Sequence, residues 1–257
     1  MSVDFLSAFK FNKKHNTIYN LDPRTKIFIL LIYSILSLIF QNFFILVTLF
    51  LTLVIFFALA RDLKKLIAYN KSLTFMIFFI FFINIFYFNI DFALAMIFRL
   101  LIMMDSFLLF FATIHPDELS QSLYKMKIPF QYAFSISLAA RFVPSLTSEA
   151  RNIRDAQMSR GIDFQKGSLF YKIRKYIPLL IPLYISAIRK AHFVAESMES
   201  RGFNQKIKRS FLYELNMKVL DYFLIILFSI IMFLGLYFTF FLSSIIPTIT
   251  QLIQLMI

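Results

Sequence analysis

The sequence predicts an all-α integral membrane protein, with about five transmembrane helices and a cytoplasmic domain of long amphipathic helices. Three observations lead to this fold class. First, 60% of the 257 residues are hydrophobic and only 16% are charged, whereas a soluble domain is about 25% charged. Second, the charges are confined to a few segments separated by long uncharged runs. Third, 27 Lys and Arg outnumber 14 Asp and Glu. In a membrane protein, the location of such a basic excess indicates the topology of the chain.

The uncharged runs define the predicted spans. Residues 27–60 carry no charge, and a helix of that length would be about 50 Å long, against a hydrocarbon core of about 30 Å. We therefore expect two short helices joined at the polar pair Gln41-Asn42. Each other run is predicted to form one span, although the fourth contains Arg99 and Asp105 and the fifth contains Asp221. The five predicted spans are 27–40, 43–60, 72–90, 92–114 and 219–242.

The segments between the spans alternate between rich in Lys and Arg and free of them. Residues 1–26 and 61–71 each carry a net charge of +3, whereas the Gln41-Asn42 turn and the turn at 89–91 contain no Lys or Arg. Lys and Arg accumulate in cytoplasmic loops, so the N-terminus and the block 116–217 are predicted to be cytoplasmic. The protein would then lie in the cell membrane, with its uncharged tail outside or in the outer interface.

The block 116–217 is too long for a connecting loop and has helical periodicity. It contains 16 basic and 8 acidic residues. A basic surface pressed on anionic lipid is one explanation for this charge, and binding to nucleic acid is not needed to explain it. Its apolar stretches, 128–140 and 176–188, suit buried or interfacial helices better than spans. The predicted domains are an N-terminal segment with four spans (1–115), a cytoplasmic or interfacial helical domain (116–217), and a C-terminal span with an apolar tail (218–257).

The composition excludes several kinds of site. There is no Cys, and hence no disulfide, thiolate metal site or Cys nucleophile. The three His are scattered without zinc-site spacing, and the chain has neither a phosphate-binding P-loop nor a GxSxG motif. We predict no catalytic residue, no metal site and no cofactor bound by this chain. If ATP and Mg²⁺ drive the protein, a partner binds them. An intramembrane hydrolase would need clustered acids, His or Ser, which the sequence lacks.

A tripeptide occurs twice. Ser159-Arg160-Gly161 and Ser200-Arg201-Gly202 lie 41 residues apart and use two of the four glycines. Each follows an amphipathic helical pattern, and Gly commonly ends a helix whose last turn favours a cation. Helix termination explains each Gly but not the repeat. We therefore predict that two similar helix ends present one arginine each to two similar pockets of a partner with two related subunits.

The chain resembles the transmembrane T component of energy-coupling factor (ECF) transporters, which take up vitamins and metal ions in prokaryotes. In that family the paired motif is usually Ala-Arg-Gly, so the Ser here is a small departure. The stretches that carry the resemblance are Leu21-Asp22-Pro23-Arg24-Thr25-Lys26, His115-Pro116-Asp117-Glu118-Leu119 with Ile128-Pro129, Arg141-Phe142-Val143-Pro144, and the two Ser-Arg-Gly motifs.

The resemblance implies a non-enzymatic scaffold between two ABC-type ATPase subunits and one substrate-binding S component in the membrane. Arg160 and Arg201 would seat in grooves of the ATPases, which bind ATP and Mg²⁺. An apolar surface of the coupling helices would contact and move the S component, which would determine the substrate. The candidate residues for that contact are Phe130, Phe134, Phe142, Leu179, Leu180 and Leu183.

A second hypothesis is a self-sufficient secondary transporter or channel. It would use Asn84, Arg99 and Asp105 as an intramembrane polar path. For Arg99 and Asp105 a structural ion pair with another helix, or snorkelling to the interface, is the simpler explanation. Six residues apart on one helix, the two side chains point in different directions and are poor mutual partners.

Overall fold

The structure is a computed structural model that describes most of the chain. It covers residue 16, residues 18–87, 89–164 and 168–203, residue 211 and residues 215–241, with the backbone alone at 169–172 and 238–241. The predicted tail 243–257 lies outside the described residues. Every regular element in the described ranges is an α-helix, which confirms the predicted fold class. These helices are α1 (Pro23–Ile39), α2 (Phe43–Leu59), α3 (Leu63–Ser72), α4 (Thr74–Tyr87), α5 (Ile90–Thr113), α6 (Pro116–Lys125), α7 (Phe130–Ser159), α8 (Leu169–Ser200) and α9 (Val219–Phe241).

The helices belong to two compact units, with boundaries at 129/130 and 214/215. The helical core contains α1–α6 and α9, and the hairpin unit contains α7 and α8. The predicted boundary at 115/116 lies one short helix earlier, because α6 packs against α1 and stays with the helical core. Within the helical core, the Lys125 ammonium donates to the Leu215 carbonyl. This bond joins the segments that lead into and out of the hairpin unit.

Three of the predicted helix patterns match the structure closely. The chain breaks between α1 and α2 at Gln41-Asn42, and each of these helices has 17 residues. Helices α5 and α9 match the predicted spans 92–114 and 219–242 to within two residues at each end, and both are long and apolar enough to cross a membrane. The split of the long uncharged run therefore follows from helix length against bilayer thickness.

The predicted single span 72–90 is instead part of a bent pair of helices. The chain bends by 55° at Leu73, between α3 and α4. Only the two helices together are long and apolar enough to cross a membrane. Helix α3 carries Lys64, Lys65 and Lys71, whereas α4 is uncharged. Charged side chains are costly inside a bilayer, so the two helices cannot share one straight apolar segment.

Helix α8 also contains a segment, Ile173–Ser200, that is long and apolar enough to cross a membrane. Its mean hydropathy of 1.3 is below the 2.1 and 2.5 of the segments in α5 and α9, and none of its apolar window is buried. The sequence places this segment in the cytoplasmic block, and that assignment stays a prediction.

The core is densest where α2 packs against α5. Leu46, Leu53 and Phe57 are fully buried along one face of α2, at the spacing of seven and four that a helix requires. On α5 they face a surface with buried Ala93 and Ile102. Small residues allow helices in membranes to approach closely and gain dispersion contacts.

Helix α9 approaches α1 at Gly235. A Cβ atom at this position would lie 2.6 Å from the Phe40 ring, closer than real Cβ atoms come. Tyr33 of α1 and Phe228 of α9 pack against each other on the same side, with ring centroids 5.5 Å apart. A larger side chain at this close approach of the two helices would force the Phe40 ring to shift.

The start of α1 binds two other helices through buried polar groups. The Asp22 side chain caps α1 by accepting from the Arg24 N–H (3.0 Å), while its own N–H donates to Asp221 (2.9 Å) at the start of α9. The Lys26 ammonium, 5% exposed, donates to the carbonyls of Tyr19 (3.0 Å) and Thr113 (2.8 Å). Buried polar groups need such partners. These contacts fix the start of α1 to the end of α5 and the start of α9.

Arg99 on α5 binds the C-terminal end of α1. Its Nε donates to the Ser37 carbonyl and its Nη2 to the Phe40 carbonyl, each at 2.8 Å. The last carbonyls of a helix have no partner within the helix, and a guanidinium is suited to bind two of them. The expected ion pair is thus replaced by a backbone cap.

Replacing Arg99 by Met should destabilise the helical core by about 2–4 kcal/mol, because two carbonyls lose charge-assisted donors in an apolar environment. Arg99→Lys should lower the free energy of unfolding by an intermediate amount, because an ammonium cannot reproduce the planar fork of the guanidinium. Unfolding followed by circular dichroism in detergent measures the difference. Arg189→Met, at an exposed position of α8, is the control. An Arg99→Met protein as stable as the control would contradict the capping role.

Gly235→Ala should cost about 1–3 kcal/mol by overpacking the contact with α1. The matched control is Ser229→Ala on the same helix, whose hydroxyl donates only within α9, to Ile225 (2.7 Å). We expect the control to unfold nearly as the wild type does in the same assay. Equal unfolding midpoints for the two variants would mean that α9 accommodates the added methyl group without loss of stability.

Candidate functional site

The two Ser-Arg-Gly segments end α7 and α8 with the same backbone geometry. At the end of α7, the Gly161 N–H donates to the Met158 carbonyl and the Ile162 N–H to the Gln157 carbonyl. At the end of α8, Gly202 and Phe203 donate to Glu199 and Met198 in the same pattern. This pair of bonds is the Schellman motif. The predicted helix ends are therefore confirmed as backbone structures.

Both glycines have the left-handed conformation that this motif requires. The φ angles are +87° at Gly161 and +74° at Gly202. A side chain in this region costs energy even where space is open, as it is at Gly161. The preceding residues, Arg160 and Arg201, are the helix caps, and both are exposed. Each helix therefore ends in a fixed turn that carries one accessible arginine at its negative end.

Helices α7 and α8 pack as an antiparallel hairpin. The Lys190 ammonium reaches Ser145 (3.4 Å), Ser186 donates to Glu149, and Gln157 donates to the Pro178 carbonyl (3.3 Å). Each step along α7 is matched by a step backward along α8. The partners of later residues in α7 are earlier residues in α8, as antiparallel helices require.

The two motifs consequently lie at opposite ends of the hairpin. Phe203, directly after the second motif, packs against Phe130 and Phe134 in the first turns of α7, with ring centroids 5.8 Å and 5.2 Å apart. The first motif lies at the other end of α7, which has 30 residues. At about 1.5 Å per residue, the motifs are roughly 40 Å apart along the hairpin.

Glu149 links the middle of the hairpin. Its carboxylate accepts from the Lys190 ammonium and from the Ser186 hydroxyl. These two donors, Lys190 first, hold the pKa of Glu149 below its usual range. Because the pKa is lowered, the link is complete above the ordinary pKa of a glutamate. It is lost only as the pH falls through the lowered value.

The predicted contact residues for the S component lie on both helices of the hairpin unit. Phe130 and Phe134 stack on each other, with ring centroids 5.4 Å apart. Leu180 is 55% exposed. Phe142, Leu179 and Leu183 are half-buried. Their contact with another subunit stays a prediction.

The three polar residues at membrane depth have separate local partners. Asn84 donates to the Ile80 carbonyl of its own helix (2.8 Å), and Arg99 caps α1. Asp105 is fully buried and accepts from Asn70 on α3 (3.1 Å). Each contact gives its residue a structural role: those of Arg99 and Asp105 join different helices, whereas that of Asn84 stays within α4. Among the described residues, no group of three or more His, Cys, Asp or Glu is placed to hold a metal.

Sequence reasoning did not identify the residues that hold the hairpin together. Glu149 and Gln157 lie on one face of α7, yet no local pattern pairs them with α8. One signal was present: Pro182 has no N–H, so the carbonyl four residues earlier needs another donor. Pro178 and Pro182 both lie inside α8.

Comparison with known proteins gives a consistent result. Residues 14–213 match the sequence profile of the CbiQ family, described as cobalt transport protein. Relatives named energy-coupling factor transporter transmembrane protein EcfT include those of Ruminiclostridium cellulolyticum (30% identical over 213 residues, 73% of this chain and 79% of the relative) and Thermosediminibacter oceani (28% over 233 residues, 80% and 88%).

Shorter matches have higher identity. The relative from Limosilactobacillus fermentum is 37% identical over 95 residues, which is 37% of this chain and 36% of the relative. The match to the Bacillus subtilis relative likewise spans a third of that protein's length, 33%. The family profile extends over most of the chain, including both Ser-Arg-Gly helix ends. The chain therefore belongs to the CbiQ/EcfT family, the transmembrane components of energy-coupling factor transporters.

Proposed function

We propose that this chain is the non-catalytic scaffold of an ECF-type importer, which couples ATP hydrolysis by two cytoplasmic ATPase subunits to movement of a substrate-binding S component. The supporting observation is the pair of identical helix ends at opposite ends of one hairpin, each with an exposed arginine. Two such ends fit a partner with two related pockets. Arginine suits this role because its planar guanidinium binds carboxylates and carbonyls with defined geometry.

Coupling requires that a movement at a helix end reaches the rest of the hairpin. The Glu149–Lys190 ion pair and the Gln157–Pro178 bond connect α7 with α8. Packed helices shift as units rather than deform continuously. A displacement of Arg160 or Arg201 by the ATPases would therefore move the apolar residues between the two motifs.

The partners divide the remaining chemistry. ATP and Mg²⁺ would be bound by the two ATPase subunits, and the vitamin or metal ion by the S component. The S component would contact the apolar candidates on α7 and α8, of which Leu180 is the most open. The protein would lie in the cell membrane with its N-terminus and residues 116–217 on the cytoplasmic side.

Charge reversal of the motif arginines should separate the scaffold from its ATPases. Arg160→Glu or Arg201→Glu should weaken co-purification of the ATPases by about 30-fold or more, because a paired interfacial charge is replaced by a repelled one. ATP-dependent uptake of the vitamin or metal ion carried by the S component should be lost. Both motif ends are exposed, so the melting midpoint of the protein should not change.

Arg189→Glu is the matched control, since it reverses an exposed arginine of α8 outside the motifs. It should leave assembly and uptake near the wild-type level. Normal uptake by the Arg160→Glu/Arg201→Glu double variant would show that the motifs do not couple the ATPases to transport.

A self-sufficient transporter would move solute as an isolated chain, whereas the proposed scaffold would not. Purified protein in liposomes without ATPases should not accumulate radioactive cobalt(II), because Asn84, Arg99 and Asp105 are each engaged in structural contacts. Flux that depends on Arg99 or Asp105 in such liposomes would favour the secondary transporter instead.

A further inference from the structure

Helix α8 contains two prolines, Pro178 and Pro182, four residues apart. In an α-helix the N–H of residue 182 would donate to the carbonyl of residue 178. Proline has no N–H, so this carbonyl loses its partner within the helix. An unpaired backbone carbonyl away from water is costly. Helix α8 therefore has a break in its hydrogen bonding between these prolines.

Gln157 supplies the missing donor from the neighbouring helix. Its Nε2 lies 3.3 Å from the Pro178 carbonyl oxygen. Its own backbone carbonyl accepts from the Ile162 N–H (3.1 Å) in the Schellman motif that ends α7. One residue thus belongs to the helix end that carries Arg160 and also binds the break in α8. The Lys175 ammonium adds a second link, to the Asp163 carbonyl (2.6 Å) just beyond that helix end.

The second motif is attached differently. The residue that corresponds to Gln157 is Met198, which accepts from the Phe203 N–H (3.0 Å). A thioether has no hydrogen to donate. This helix end instead packs through Phe203 against Phe130 and Phe134. The two motif ends share a backbone structure but differ in how they connect to the hairpin.

We infer that Gln157 is a positioning residue, and that it links the direction of Arg160 to bending of α8 at Pro178 and Pro182. The inference rests on the proposed function, in which Arg160 binds an ATPase. Gln157 lies three residues before Arg160 on the same helix end, so the two move together. The proline break lacks the backbone bond that would resist bending. A movement of Arg160 therefore reaches Leu179, Leu180 and Leu183 through the bond from Gln157.

The test measures the bend of α8 in the assembled complex with both ATPases and the S component. The chain has no Cys, so spin labels can be attached at Ile173→Cys and Ile188→Cys without first removing a native cysteine of this chain. Both positions are exposed and lie on either side of the prolines. In the wild type, ATP with Mg²⁺ and orthovanadate should shift the distance between the labels, as measured by double electron–electron resonance.

Gln157→Met keeps the length of the side chain but removes both donors. The ATP-dependent shift should fall about five- to tenfold in population, the effect of one lost hydrogen bond to a carbonyl left unpaired. ATPase co-purification and hydrolysis should remain, because Arg160 is unchanged. Met198→Leu, which alters the corresponding residue of the second motif, should leave the shift intact.

Pro182→Ala provides an independent check, since it restores a backbone N–H for the Pro178 carbonyl. This variant should also lose the shift, and adding Gln157→Met to it should change nothing further. An intact shift in Gln157→Met would overturn the inference. Additive effects of the two substitutions would also overturn it. If the proposed function itself were wrong, the result would differ. Arg160→Glu would then keep ATPase binding and uptake, with or without the Gln157→Met substitution.

Discussion

The buried hydrogen bonds of Asp22 and Lys26 connect parts of the chain that are far apart in sequence. Asp22 reaches Asp221, and Lys26 reaches Thr113. Both side chains are buried away from water and need hydrogen-bond partners within the protein, so each bond is formed only when the three helix ends meet. The bond from Lys125 to Leu215 then closes the chain on either side of the hairpin unit. The helical core is therefore tied at the points where the hairpin unit leaves and returns.

The need of backbone carbonyls for a hydrogen-bond donor explains the contacts of Arg99 and Gln157. Arg99 binds carbonyls that the end of α1 leaves free, and Gln157 binds a carbonyl that a proline leaves free. In both cases a side chain on a neighbouring helix completes the hydrogen bonding of a helix that cannot complete its own. These contacts are polar, directional and long-range, so they determine how helices are placed as well as how stable they are.

The parts of the fold that follow from local rules could be predicted from the sequence. The break at Gln41-Asn42 follows from helix length, and the ends at Gly161 and Gly202 follow from the conformational freedom of glycine. The contrast between the basic segment 61–71 and the uncharged run 72–90 marks the break at Leu73, but the 55° angle between α3 and α4 does not follow from it. The partners of Arg99, Glu149 and Gln157 depend on tertiary packing. No spacing within one helix specifies them.

The closed base of the hairpin unit has a consequence for how substitutions act. Residues 130–214 form one compact unit inserted between α6 and α9, whose flanking segments are already joined by Lys125 and Leu215. Substitutions within a unit inserted in this way leave the contacts inside the helical core in place. The two units are in this sense modular: among the described residues, the buried hydrophobic cluster that forms the main core lies wholly outside residues 130–214.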